Sequence, residues 1–191
     1  MEGFRMWKQK GMTLIELLIT STIIVALTSI AIPSFQRLKM QQQSYQVYSV
    51  LVSALNFTRS SAITSKITTT LCPNHNNVEC GKDWTNGILI FTDRNQDGKF
   101  DVGADEILKI TAKPHHPHSL KWSSFGNRPF IRYSPLGHTL NQNGTFVYCP
   151  KDGNSLYAQA IIVNRTGRIR RGYDKNKNGV IERANGDDIQ C

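Results

Sequence analysis

Charge is what the first third of this 191-residue chain has least of. Between residues 12 and 32 there is one ionisable side chain, Glu16. Proline is nearly missing there too: Pro33 is the one proline before residue 66, and six follow it. That leaves room for one long early helix and for turns afterwards. Cysteine is scarce, four residues in all, with no CxxC spacing, which argues against the commonest zinc and thioredoxin-type sites. No HExxH, no glycine-rich phosphate loop and no evident Ser/His/Asp set is present, so the chain is not expected to be an enzyme. Acids are in deficit, 14 against 23 Lys and Arg, for a net charge of +9 and a pI near 9.6. Such a balance suits an anionic partner, or serves solubility alone.

What is there begins with an apolar run. Residues 12–32 form a 21-residue stretch that, as a helix, spans about 30 Å, the thickness of a bilayer core. Arg5, Lys8 and Lys10 precede it and orient the N-terminus toward the cytoplasm. The rest of the chain would then lie outside, where cysteines oxidise. Cys72, Cys80, Cys149 and Cys191 all fall in that part. Four cysteines allow three pairings. Cys72 and Cys80 flank an Asn-rich turn and can close a small loop, which leaves Cys149 for Cys191.

The stretch "KGMTLIELLITSTIIVALTSIAIPSF" (residues 10–35) resembles the class III signal of type IV pilins and pseudopilins. The resemblance implies cleavage by a prepilin peptidase after Gly11 and methylation of the new N-terminus, Met12. The family's usual first mature residue is phenylalanine, so Met12 departs from the pattern. Glu16 falls on the family's fifth mature position, and Pro33 where pilins carry a helix-weakening proline. A carboxylate in hydrocarbon is costly unless a cation neutralises it. The implied cation is the free amine of a neighbouring subunit's Met12, which makes Glu16 a register mark for assembly.

Beyond the membrane segment, Phe35, Leu38, Tyr45, Tyr48, Leu51, Leu55 and Ala62 recur at helical spacing and read as a packing stripe. After Lys66 the period changes. "ITTTLC", "GILIFTD", "EILKI", "FIRYS", "TFVYC" and "YAQAIIVN" are short β-prone runs punctuated by Gly, Pro and Asn. The expected fold is α+β: a long N-terminal helix packed on an antiparallel sheet. The expected organisation is a leader (residues 1–11), a transmembrane and assembly helix (12–33), its amphipathic continuation (34–65) and a β-rich periplasmic domain (66–191). "FTRSSAITSKITTTLCP", "DWTNGILIFTDRNQDG" and "IIVNRTGRIR" are similar to successive blocks of the GspH/FimT family of minor pilins and pseudopilins, while residues 112–140 match no block. That resemblance implies insertion in the bacterial inner membrane and then assembly into a pilus or pseudopilus. The implied partners are major and other minor pilins and the prepilin peptidase. Some FimT-type members bind double-stranded DNA for natural transformation; the other implied role is assembly priming, or type II secretion, without DNA.

Three segments are candidate sites. "RTGRIRRGYDKNK" (residues 165–177) holds six basic residues against Asp174. Its Gly167, Arg168, Ile169 and Arg170 resemble the DNA-contacting GRxR motif of FimT-type pilins. Guanidinium forks suit phosphate oxygens and Tyr173 can stack on a base. Arg165, Arg171, Lys175 and Lys177 are further candidate contacts. "DRNQDGKFD" and "DKNKNGVIE" share D-x-N-x-[DN]-G with an acid at the ninth position, as in the first half of a Ca²⁺-binding EF-hand loop. The candidate ligands are Asp93, Asn95, Asp97 and Asp101, and Asp174, Asn176, Asn178 and Glu182. The twelfth positions carry Ala104 and Asn185 instead of an acid, with Asp105, Glu106, Asp187 and Asp188 close by. Asx-rich turns give the same spacing without a metal. "HHPH" (residues 115–118) reads as a polar loop that a transition metal or mild acid could engage.

Overall fold

The computed structural model describes residues 11–114 and 118–191. Residues 1–10, with Arg5, Lys8 and Lys10, lie outside the described residues, as do His115, His116 and Pro117 of the "HHPH" segment. The chain divides into two compact units, Met1–Lys39 and Met40–Cys191.

In the first unit the apolar run is helical, the opening part of α1 (Leu14–Ser65). Thr13 begins it: its hydroxyl accepts the Glu16 amide at 3.3 Å, satisfying one of the donors a helix start leaves open. The hydroxyls of this segment turn back on the helix's own carbonyls, Thr20 on Leu17, Ser21 on Leu18, Thr22 on Ile19 and Ser29 on Ala26, at 2.7–3.0 Å. That lowers the cost of carrying them into lipid. Residues 11–39 are exposed throughout, and α1 is long and apolar enough to cross a membrane. Pro33 sits inside α1, which runs on through it.

In the second unit α1 buries Ser44, Val47, Leu51, Ala54, Leu55, Thr58 and Ala62. The stripe expected from sequence is right for Leu51, Leu55 and Ala62, but Tyr48 is half-buried and Tyr45, Phe35 and Leu38 are exposed. Ser44 and Thr58 escape a hydrophobicity pattern, and each is buried with its hydroxyl bonded, Ser44 to Tyr157 O at 2.8 Å and Thr58 to Ala54 O at 2.7 Å. The helix ends at Lys66, whose φ of 58° takes the left-handed turn that closes many helices.

Two antiparallel four-stranded sheets follow, where one was expected. The first has the order β3 (Ile107–Ile110), β2 (Ile88–Thr92), β1 (Thr69–Pro73), β5 (Ile131–Tyr133). The second has the order β4 (His118–Ser124), β6 (Gly144–Pro150), β7 (Gln159–Val163), β8 (Ile169–Arg171). β1 and β2 are buried at every residue, which is why "TTLCP" and "ILIFT" run without polar alternation. Leu71, Ile90, Ile131 and Tyr133 from one sheet and Phe146, Tyr148, Ile161 and Val163 from the other meet the helix in one core. Trp84 packs edge-on against Phe146 at 4.7 Å, with Trp122 stacked on the same ring at 4.3 Å.

Each sheet has an outer face with its own small cluster. Cys72, Leu89, Phe91 and Phe130 lie behind the first sheet; Val147, Cys149, Ala158, Ala160 and Ile189 lie behind the second. The disulfides Cys72–Cys80 and Cys149–Cys191 close these two clusters. Strand β4 falls within residues 112–140, at a place where no strand was expected. "HSLKWSS" is polar at most positions and is specified by its seven-residue pairing with β6.

Candidate functional site

The basic segment of residues 165–177 folds as a hairpin turn plus an edge strand. Gly167 donates its amide to Asn164 O at 2.9 Å, and Asn164 N donates to Arg168 O at 2.9 Å, closing the β7–β8 turn. Gly167 has φ 76°, and a Cβ there would run into Gly137 O. Only glycine fits, by conformation and by space. Gly137 O also accepts Arg59 Nε of α1 at 3.0 Å, and Thr139 N donates to Arg165 O at 3.0 Å. The turn is thus pinned to the loop after β5, and through it to the helix.

β8 then sorts the arginines by face. Arg168 and Arg170 share one face and are exposed; Arg165 is exposed at the turn. Arg171 points the other way. Its guanidinium lies 5.1 Å from the Tyr45 ring and 5.4 Å from Tyr48, and its Nε donates to Gln159 Oε1 at 2.9 Å. Its hydrogen bond and charge hold the Tyr45 hydroxyl below the usual tyrosine range. Arg171 is therefore occupied inside the fold and stands apart from its neighbours. Lys175 is also engaged, 3.9 Å from the Glu182 carboxylate and over the Tyr173 ring at 5.5 Å. Lys177 is exposed. Among the described residues Lys175–Glu182 is the one ion pair, so no acid there is paired with Arg165, Arg168 or Arg170.

The sequence reading missed what lies beside the turn. Arg165 shares an open pocket of about 710 Å³ with Arg132, His138, Ser134 and Gln96. Arg132 Nε is buried without a hydrogen-bond partner among the described residues, and burial pulls its guanidinium below its ordinary value. Arg132 sits in β5, far along the chain from the basic segment. One loop brings the two together, with Leu140 N on Arg132 O at 3.2 Å and Thr139 N on Arg165 O.

The two D-x-N-x-[DN]-G segments adopt the same hydrogen bonds. Gly98 N donates to Asp93 Oδ2 at 3.1 Å, Asp97 N to Asn95 Oδ1 at 3.2 Å and Lys99 N to Asp97 Oδ1 at 2.7 Å. In the second, Gly179 N donates to Asp174 Oδ2 at 2.8 Å, Asn178 N to Asn176 Oδ1 at 3.0 Å and Val180 N to Asn178 Oδ1 at 2.8 Å. Acids beyond each segment complete them. Asp105 accepts Arg94 N and Asp101 N, both at 3.1 Å; Asp188 accepts the side-chain amides of Asn176 and Asn178. Glu182 is buried and accepts Lys175 N at 3.1 Å. Among the described residues no three His, Cys, Asp or Glu side chains are gathered as a metal cluster. Burial raises Asp93 above the usual carboxylate range, against the pull of Thr70, the Gly98 amide and Arg132.

Gly11 and Met12 are exposed ahead of the helix, and Glu16 is exposed in its first turn.

Residues 49–167 match the family described as type II transport protein GspH, and residues 8–32 match the prokaryotic N-terminal methylation motif. No curated protein matches the chain by sequence. Two crystal structures of the type IV minor pilin FimU of Pseudomonas aeruginosa share its fold. One is 16% identical with a TM-score of 0.54, covering 72% of this chain and 91% of that one. The other is 16% identical with a TM-score of 0.51, covering 70% and 92%. The minor pseudopilin EpsH of the Vibrio cholerae type 2 secretion system is 13% identical, with a TM-score of 0.47 over 68% of this chain and 95% of that one.

Proposed function

The chain belongs to the GspH family, and on that footing we propose that it is a minor pilin that enters a pilus and holds double-stranded DNA through its β7–β8 turn. In this reading a prepilin peptidase removes residues 1–11 after Gly11, Met12 is methylated, and residues 12–33 hold the subunit in the inner membrane until assembly. Residues 34–65 continue the helix, and the domain of residues 66–191 faces the periplasm and later the fibre surface. Glu16 pairs with the amine of a neighbouring pilin's Met12, and Pro33, lacking an N–H, lets the helix loosen as subunits pack.

The observation that carries the DNA reading is the set Arg165, Arg168 and Arg170: exposed, without an acid partner among the described residues, and presented by a turn that only glycine allows. Lys177 extends it, and Lys175 and Arg171 contribute charge from positions already engaged in the fold. Phosphate contacts of this kind ignore base sequence and weaken with salt, by a log–log slope of about −0.9 for each phosphate neutralised. The description of the matching family favours a second reading, a pseudopilin that primes a type II secretion fibre with no nucleic-acid role.

Fluorescence anisotropy of the detergent-solubilised full chain on labelled duplex DNA, across a salt series, separates the two. The DNA reading expects sequence-independent binding whose salt slope becomes shallower by roughly two on Arg168→Ala/Arg170→Ala. Equal inertness of wild type and variant leaves the priming role.

A further inference from the structure

Of the two Asx-rich loops, the first holds something the second does not. Asp93, just past the end of β2, has no exposed surface. Its Oδ2 accepts Thr70 Oγ1 at 2.6 Å and the amide of Gly98 at 3.1 Å. Both donors lie on Oδ2, one from β1 and one from the loop, so Oδ1 is the oxygen of this carboxylate left over. Oδ1 is buried and no hydrogen bond reaches it among the described residues. An ionised oxygen in that state is costly unless a cation or donor meets it.

Four more oxygen-bearing side chains, Asn95, Asp97, Asp101 and Asp105, follow in the same loop. The bonds from Asp97 N and Lys99 N to Asn95 and Asp97 wind the chain tightly about Gly98, which has φ 81° and whose Cβ would strike the Phe130 ring. Asp101 follows at the ninth position. Asp105, bonded to the amides of Arg94 and Asp101, stands close to where a twelfth-position acid is wanted. Each of these carboxylates accepts one or two hydrogen bonds and keeps lone pairs to spare.

We propose that residues 93–105 bind Ca²⁺, with Asp93 Oδ1 as the innermost ligand and Asn95, Asp97, Asp101 and Asp105 as the others. The donor set is oxygen only and irregular in spacing, which suits Ca²⁺ with its six to eight flexible ligands better than octahedral Mg²⁺. Asp101 and Asp105 must turn from their present hydrogen bonds toward the ion, since three acids are not yet gathered there. That rearrangement places the affinity in the weak range of extracellular modules, a Kd of about 10⁻⁴–10⁻³ M. The competitor is Arg132, whose charge favours the ionised Asp93 and whose Nε is buried without a partner. The second loop stays outside the proposal, because no oxygen of Asp174, Asn176, Asn178 or Glu182 is left buried and unbonded.

The test is calorimetry on the detergent-solubilised full chain after chelation, titrated with CaCl₂ and separately with MgCl₂, with thermal unfolding alongside. Asp97 is exposed, so Asp97→Ala leaves the core intact; its unfolding in chelator checks this. Expected are a single Ca²⁺ event, an unfolding temperature that rises with Ca²⁺, loss of both in Asp97→Ala, and retention of both in Asp174→Ala. The proposal is overturned by no wild-type heat up to about 10 mM Ca²⁺, ten times the weak end of that range. It is equally overturned by equal response to Mg²⁺, by binding that survives Asp97→Ala, or by binding lost in Asp174→Ala instead.

Discussion

Asp93 shows how one side chain couples burial to chemistry. Burial raises its carboxyl above the ordinary value, while Thr70, the Gly98 amide and Arg132 pull it down and Asp97 adds to the rise. The folded protein therefore holds this proton more tightly than the unfolded chain. Below the ordinary Asp value both states are protonated and nothing is lost. As pH rises through the interval up to the raised value, this residue's contribution to stability falls, and above it the penalty is complete. In chelated protein, the unfolding free energy of wild type relative to Asp93→Asn should thus decline from acid to neutral pH, read from denaturant midpoints. A flat or rising difference would mean that Arg132 fully compensates the charge. Asp93 was legible in the sequence as a loop opener. Its burial was not, because that depends on partners such as Thr70 that arrive from elsewhere in the chain.

At the scale of elements, β8 and α1 decide what the arginine run can do. Period-2 geometry sends Arg168 and Arg170 to one face and Arg171 to the other, where it lies over Tyr45 and Tyr48. Half-exposed cation–π contacts contribute about 0.5–1 kcal/mol each. Arg171→Ala should therefore lower stability by about 1–2 kcal/mol in urea unfolding and move the Tyr45 titration upward in ultraviolet absorbance. Arg170→Ala should stay within about 0.5 kcal/mol of wild type, as exposed substitutions do. The sequence placed all these arginines in one segment but could not say which faced solvent. The helical stripe was legible in the same partial way. Leu51 and Leu55 announced the buried face, whereas Ser44 and Thr58 had no apolar signal to give.

At the scale of the whole molecule, two outer clusters are each closed by a disulfide, across 8 and 42 residues of chain. By loop-closure entropy these constrain the unfolded state by about 2.5 and 4 kcal/mol. The longer one ties the C-terminus down behind the sheet whose edge carries the arginines. The apolar opening of α1 answers to different physics. Glu16 in hydrocarbon is tolerable if a neighbour's amino terminus meets it. Intact mass of the assembled subunit should show a chain that begins at methylated Met12. Glu16→Ala should be trimmed and inserted yet missing from sheared filaments by mass spectrometry. Retention of residues 1–11, or normal incorporation of the variant, would remove the assembly proposal.

The sequence by itself determined the membrane-length helix, the α+β class and six of the eight strands among the described residues, because apolar run length and β-branched clustering are local properties that burial reads directly. Only the tertiary structure decided the split into two sheets, the polar strand β4, the inward turn of Arg171 and the unbonded oxygen of Asp93. Each of those is set by a partner distant in the chain, and a hydrogen-bonding or packing partner leaves no mark on the local pattern of the residue it satisfies.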